Sequence, residues 1–407
     1  MKRLLLLASL LAPLAPAAAQ RAAQRAALAD HLERALALDA AFRTLAAQRD
    51  ATAARRALAR SPIPGSPSVG GDYRNNLRGP QESRELTVDV AAPVWLPGQR
   101  GAYGDAVRTG VAEFEARLLL RRLEVAGLLR EAWWSTASAA SDARVARDRL
   151  ATSRDIARDV QRRVDFGDIP PTDALLARNE TLAAELGLAQ AEAALAGARA
   201  AYRTLTGGAD PDLPPEPPAA RSRAHPALLA AEAGVRAAEA QSRLVAATPR
   251  DNPELGVYGR NEEGRLTEQG FSLGVRVRVP LATSARNVPR AAAAQADLTR
   301  AAAELALRQR LLRAEIEAAQ VALRAAEEVS RIARRRLAVA NQQLDLARRA
   351  FGAGETGLFD LFRVRQLQAE AAGGQAQAEV NAGRARSRLN QALGAVPGGE
   401  EGLVSAR

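Results

Sequence analysis

The chain has 407 residues, a formal net charge of +11, 3% aromatic residues, two histidines and no cysteine. This excludes disulfides, thiolate metal sites, thiol nucleophiles and a lipidated N-terminal cysteine. It also leaves a transition-metal centre or a histidine-based triad almost no raw material, so the chain is expected to be non-enzymatic, without metal or cofactor. Every basic residue except Lys2 is arginine, and the arginines alternate with acids along helical stretches. That pattern reads as a solvated helix surface, and no nucleic-acid partner is expected. So few aromatics would leave an ordinary globular core of this length short of bulk, whereas alanine-rich helices pack closely without them.

Residues 1–19 form a separate unit. Lys2 and Arg3 lead an apolar run from Leu4 to Leu14, followed by Ala17, Ala18 and Ala19. This predicts a secretory signal peptide cut before Gln20; Pro13, Pro16 and the shortness of the run argue against a membrane anchor. Beyond it no stretch approaches the ~20 apolar residues of a spanning helix, which leaves a soluble chain or a β-barrel.

A first repeat is predicted over residues 20–210. An alanine-rich helix (about 28–60) closes at Pro62, and a β-hairpin (about 66–95) follows. A long helix (about 100–165), a glycine-marked turn and a returning helix (about 171–207) complete it. Residues 211–221, with Pro211, Pro214, Pro215, Pro217 and Pro218, read as a stiff extended linker. The second repeat, residues 222–396, has the same series: a helix (about 227–247) closed by Pro249, a hairpin (about 253–281), a long helix (about 288–352) and a returning helix (about 358–394). Residues 397–407 are a tail.

The duplication is exact in spacing. An offset of 187 residues carries Pro62 to Pro249, Pro93 to Pro280, Gly167 to Gly354, Asp173 to Asp360 and Gly207 to Gly394, with no gap.

The strands show period two. Phe271, Leu273, Val275, Val277 and Val279 form one apolar row, with Ser272, Gly274, Arg276 and Arg278 opposite; Leu86, Val88, Val90, Ala92 and Val94 repeat it, with Thr87 and Asp89 opposite. A membrane barrel turns such a row to lipid and the charged row, here Arg276, Arg278 and Asp89, to the lumen. Partner strands are expected near Val69–Leu77 and Leu255–Arg265, weakened by Gly70, Gly71 and Gly259. Trp95, Tyr258, Phe271 and Tyr73 are candidates for an interfacial aromatic girdle. Four strands cannot close a barrel, so several chains must share one.

In the second long helix Leu298, Leu305, Leu312, Ala319, Ala326, Ala333, Ala340 and Ala347 recur every seven residues, interleaved with a second set from Ala302 to Phe351. That is a heptad seam, and it recurs in the first half from Val111 to Val160. At ~1.5 Å per residue, about sixty residues reach on the order of 90 to 100 Å.

The duplicated series of hairpin, long helix, turn and returning helix resembles the outer-membrane efflux proteins of the TolC type. The specific residues are Gly167-Asp168-Ile169-Pro170-Pro171-Thr172-Asp173-Ala174-Leu175 and Gly354-Glu355-Thr356-Gly357-Leu358-Phe359-Asp360-Leu361-Phe362. The resemblance implies a mainly α protein with membrane β: a trimeric α-helical barrel continuous with a twelve-stranded β-barrel, four strands from each chain. It implies an outer-membrane location extending into the periplasm, and partners that are a periplasmic adaptor (a membrane fusion protein), an inner-membrane transporter and outer-membrane lipid. The segment from His225 and Pro226, with Phe271–Leu281, is most similar to the heavy-metal and cation-efflux branch.

By the same resemblance Gly167, Thr172, Gly354 and Thr356 belong to tip turns that receive the adaptor, and Asp173, Asp360 and Arg363 to the gate. Glycine at these turns is also what a helix C-terminus needs. Thr172 or Asp173 can equally act as a helix cap. Asp360, which Leu358 and Phe359 precede inside the predicted helix, is expected in a ring of acids at the pore constriction, or paired with Arg363 between helices. Other readings are a type I protein-secretion duct and a soluble periplasmic coiled-coil scaffold. Glu262 and Glu263, predicted in a hairpin turn, read as solvated loop charges and not as a general acid and base.

Overall fold

The computed structural model describes residues 17–76, 83–211, 215–219, 224–264 and 269–397. The signal-peptide reading falls almost wholly outside them, as do Leu77, Pro214, Arg265 and the tail beyond residue 397. In chain order the elements are α1 (Ala17–Leu38), α2 (Ala40–Ala54), α3 (Arg56–Arg60), β1 (Ser68–Asn75), β2 (Ser83–Pro93), α4 (Gln99–Asp165), α5 (Pro171–Thr206), α6 (Pro226–Ala246), β3 (Glu254–Gly264), β4 (Gly270–Arg278), α7 (Ser284–Gly352) and α8 (Leu358–Ala392). Among the described residues no helix is long and apolar enough to cross a membrane.

The predicted first helix is three. Asp39 N donates to Leu36 O and Arg55 N to Thr52 O, tight turns that interrupt the i to i−4 ladder at both breaks. The two long helices are unbroken over 67 and 69 residues. From Leu305 to Ala347, the residues of α7 that are not exposed are the heptad seam positions, and no others. The seam is therefore the packed face, and burial, not helix propensity, fixes which stripe faces inward.

The chain divides into two compact units, described separately. The unit formed by residues 41–121 and 224–311 contains one antiparallel sheet of order β1-β2-β3-β4. Its two hairpins, one from each repeat, join through β2 and β3, with Val90 opposite Val257 and Asp89 opposite Tyr258. Where β2 passes into α4, Gln99 is the organiser. Its Oε1 accepts from Leu96 N (3.0 Å), its Nε2 donates to Asn252 Oδ1 (3.2 Å), and Asn252 Nδ2 donates to Val94 O (2.9 Å). Arg100 donates to Ala59 O (2.9 Å) and Arg60 O (2.7 Å), which satisfies carbonyls that the end of α3 leaves unpaired. Glu262 and Glu263 lie in β3 and not in a turn, because the ladder with β2 continues to Ser83–Gly264.

The other unit, residues up to 40 with 122–223 and from 312 on, contains the helical ends and the linker. The described linker residues, 211 and 215–219, are strapped down. Arg130, 5% exposed, makes a bidentate pair with Glu216 (2.6 and 2.8 Å) and also donates to Gln391 Oε1 (2.5 Å) and Ala395 O (2.9 Å). Asn390 Nδ2 donates to Pro217 O while its Oδ1 accepts from Ala219 N, both at 2.9 Å. Trp133 Nε1 donates to Pro211 O (3.0 Å). Trp134, 7% exposed, packs against α8 at Gly383, where an added Cβ would sit 2.0 Å from the indole. Both tryptophans thus pin segments rather than fill a general core.

Because removing one partner of a buried pair strands the other charge, Arg130→Ala is expected to cost about 3 kcal/mol or more, and the double change Arg130→Met, Glu216→Gln clearly less. Thermal unfolding of the purified variants checks the order.

Candidate functional site

Two surfaces carry the residues singled out by sequence: the sheet, and the two turns between long and returning helices.

The sheet has two unlike faces. Register places Val69, Val90, Val257 and Val275 in one row across all four strands, and Leu86 with Phe271, Val88 with Leu273 and Ala92 with Val277 in neighbouring rows. This face is bare: Leu273 is 77% exposed, Val69 76% and Val275 67%. Asn261 stands between Leu86 and Phe271, and Arg84 with Glu263 ends the face, but the rows beyond them are apolar, and an exposed apolar face of this size on a folded sheet needs a cover. Gly259 is part of it for a reason, since a Cβ there would lie 3.0 Å from the Phe271 ring, which closes over the gap.

The opposite face brings the predicted Asp89 and Arg276 together, with Arg276 Nη1 at 2.9 Å from Asp89 Oδ1. Arg278, on the same face, is 3.9 Å from Glu254. Tyr258 lies here too, across Gly274, with Arg276 and Arg260 5.5 and 5.8 Å from its ring. That corrects its placement in an outward girdle: the residue opposite Asp89 must share Asp89's face. Trp95 lies beyond β2, its Nε1 donating to Ser61 O (3.1 Å). Tyr73 and Phe271 remain on the apolar face, at 62% and 69% exposure.

The turns are two copies of one motif. After α4, Gly167 (φ 79°) donates to Val164 O and Asp168 to Arg163 O; after α7, Gly354 (φ 75°) donates to Phe351 O and Glu355 to Ala350 O. These paired bonds satisfy the last helical carbonyls, and positive φ makes glycine the residue that fits. Gly167, Thr172, Gly354 and Thr356 are all exposed.

The N-cap of α5 is Pro170, which makes no side-chain cap bond. Neither Thr172 nor Asp173 caps the helix. Asp173 and Asp360 are the third residues of α5 and α8, so the expected contrast between them in depth along the helix disappears. Both lie where the helix dipole favours a carboxylate. They differ in surroundings: Asp173 is half-buried, and Asp360 is exposed. Among the described residues, Asp360 and Arg363 make no ion pair or hydrogen bond within the chain.

Behind the turns Ile156, Val160, Ala177, Leu344, Phe351, Leu358 and Leu361 form one apolar cluster. Arg163, which contacts the cluster at Phe351, is a residue that sequence reasoning missed. It stacks 4.5 Å from the Phe351 ring and donates to Phe351 O (3.0 Å) and Gly352 O (3.3 Å), capping α7 from α4. Its counterpart at the repeat offset is Ala350, so the duplication gave no hint of it. Arg365, 4% exposed, donates to Arg149 O (3.1 Å) and to Ser153 Oγ on α4, with Glu180 at 3.9 Å; burial, then Arg149, lowers its pKa.

α7 also carries a second, bare stripe. Leu311, Ala318, Ala325, Ile332, Val339 and Leu346 recur every seven residues and are all exposed, Val339 at 54% and Leu346 at 60%. A groove of about 430 Å³ runs beside Ile332, Val339 and Leu367, rimmed by Arg335 and Arg336. On α5, Leu175, Leu182 and Leu186 are likewise exposed, at 66%, 55% and 62%.

Residues 219–395 match the family model described as outer membrane efflux protein. No curated relative matches the chain by sequence. Among solved structures the chain is similar to the outer membrane protein VceC of Vibrio cholerae, at TM-score 0.71 and 16% identity over 91% of this chain and 96% of that one. It is similar to CusC, at 0.72 and 15% over 91% and 92%. It is also similar to the MtrE outer membrane channel of Neisseria gonorrhoeae in its open state, at 0.68 and 17% over 90% and 88%. At such identities the likeness establishes the fold: this chain has the architecture of these channels, an α-barrel stave with four strands of a β-barrel, and its second repeat carries the outer membrane efflux protein pattern.

Proposed function

We propose that the protein is the outer-membrane channel of a tripartite efflux system, a passive conduit through which substrate from a pump and adaptor crosses the periplasm and the outer membrane. The observation that carries this is the four-stranded sheet, with one face apolar and exposed over most of its length and polar only toward the end that bears Arg84, Asn261 and Glu263, the other charged, and its outer strands β1 and β4 each paired on one side. Lipid suits the first face, water the second, and further copies the open edges.

The second stripe on α7 supports a homotrimer. A helix within a closed ring of helices touches a neighbour on each side and needs two apolar seams. In α7 one seam is packed within the chain, and the other, from Leu311 to Leu346, is bare. A second copy, offering the exposed leucines of α5, is the occupant we infer; the number, three chains and twelve strands, is what the resemblance to TolC-type channels implies.

In this reading Gly167, Thr172, Gly354 and Thr356 meet the periplasmic adaptor. Asp360, exposed and unpartnered by Arg363, faces the constriction, with Arg363 and Asp173 beside it. The heavy-metal and cation branch is the finer assignment we propose, from His225, Pro226 and Phe271–Leu281. Export assays of metal salts against uncharged drugs in a deletion strain test that branch.

Reconstitution in planar bilayers tests the conduit. The mature protein is expected as detergent-extracted trimers giving discrete conductance steps, and a freely dissolved monomer without conductance would refute it. Val339→Asp places a charge on the bare stripe and should cost on the order of 2 kcal/mol or more per interface, so that trimers are lost while the helix signal in circular dichroism persists. Asp360→Ala should leave the trimer intact and change single-channel conductance or cation preference by about twofold. Unchanged values would remove Asp360 from the gate.

A further inference from the structure

Each arginine on the charged face of the sheet stands near a carboxylate. Arg276 is 2.9 Å from Asp89, Arg260 2.9 Å from Glu85 and 3.2 Å from Glu262, Arg74 3.7 Å from Glu85, and Arg278 3.9 Å from Glu254. Two of these pairs are close and built into the sheet. The carboxylates are the sunken partners, with Asp89 at 17% and Glu85 at 18% side-chain exposure against 50% for Arg276 and 39% for Arg260.

Glycines make the room. A Cβ at Gly70 would lie 2.7 Å from Asp89 Oδ1, so the carboxylate rests on the backbone of β1. Tyr258, seated across Gly274, separates the two pairs and offers its ring to both guanidiniums. The sequence Glu85, Arg260, Tyr258, Arg276, Asp89 is thus one lateral ladder on β2, β3 and β4, laid on β1.

Ion pairs this exposed contribute little to stability, so holding the sheet together does not explain the ladder. Its physical consequence is charge compensation. On a wall that lines a narrow aqueous lumen, unpaired arginines in every chain would attract anions and repel cations. The two sunken carboxylates cancel that field at short range.

We propose that Asp89 and Glu85 are specificity-determining residues of the β-barrel lumen, acting by masking Arg276 and Arg260 so that the wall does not select for anionic solutes. The proposal rests on the channel reading above. It adds a determinant in the sheet that is separate from the helical turns.

The test is the reversal potential of wild-type and variant trimers in planar bilayers under a potassium chloride gradient. Asp89→Asn keeps shape and removes the charge, and it is expected to raise the chloride to potassium permeability ratio about twofold or more. Arg276→Gln leaves Asp89 uncompensated and should move the ratio the other way, and the double variant should return to the wild-type value. If Asp89→Asn assembles poorly, Glu85→Gln and Arg276→Gln read the same quantity at pairs that share the ladder. Conducting variants whose ratios all equal that of wild type would overturn the masking role. A wild-type protein that does not conduct would instead overturn the channel reading itself.

Discussion

The constraint on which the rest depends is the backbone of the sheet. β1 and β4 each present a row of amide and carbonyl groups with no strand partner among the described residues, beside an apolar face that water does not suit. In hydrocarbon an unmatched backbone group costs several kcal/mol, and only closure removes the edge. One chain supplies four strands, so in the channel reading proposed above the barrel closes only in an assembly. The bare second stripe of α7 states the same requirement in helical terms.

The two repeats share geometry and divide the work. Both hairpins pair in one sheet, both long helices end in the same paired carbonyl bonds at positive-φ glycines, and both returning helices carry an aspartate at their third position. The differences lie in side chains placed on that common frame. Arg163 caps the partner hairpin where Ala350 stands in the other repeat. Arg365 is buried among α4 groups, while its counterpart Arg178 is exposed on α5. Trp134 packs on Gly383, while its counterpart Val321 is exposed on the bare side of α7. Duplication thus supplies two equal staves, and substitution makes one face inward-bound and another available to a neighbour.

Much of this was legible because periodicity is local. Period two in Leu86–Val94 and Phe271–Val279 foretold the faces of β2 and β4, and the seam from Leu305 to Ala347 is the set of residues that packs. The structure draws α4, α5, α7 and α8 over Gln99–Asp165, Pro171–Thr206, Ser284–Gly352 and Leu358–Ala392. The reading erred where partners distant in sequence decide. Tyr258 belongs to the charged face because of the register with Asp89, and two of the glycines expected to weaken the strands, Gly70 and Gly259, are seats for Asp89 and Phe271.

The sequence by itself determined the duplicated architecture, the positions of the turns and the presence of one apolar and one charged face, since each follows from spacing along a single element. Tertiary structure alone decided which charges meet, which glycines are occupied and which arginines cap another helix. Those depend on strand register and on the packing of helices far apart in the chain, where a shift of one residue in a strand would exchange the two faces.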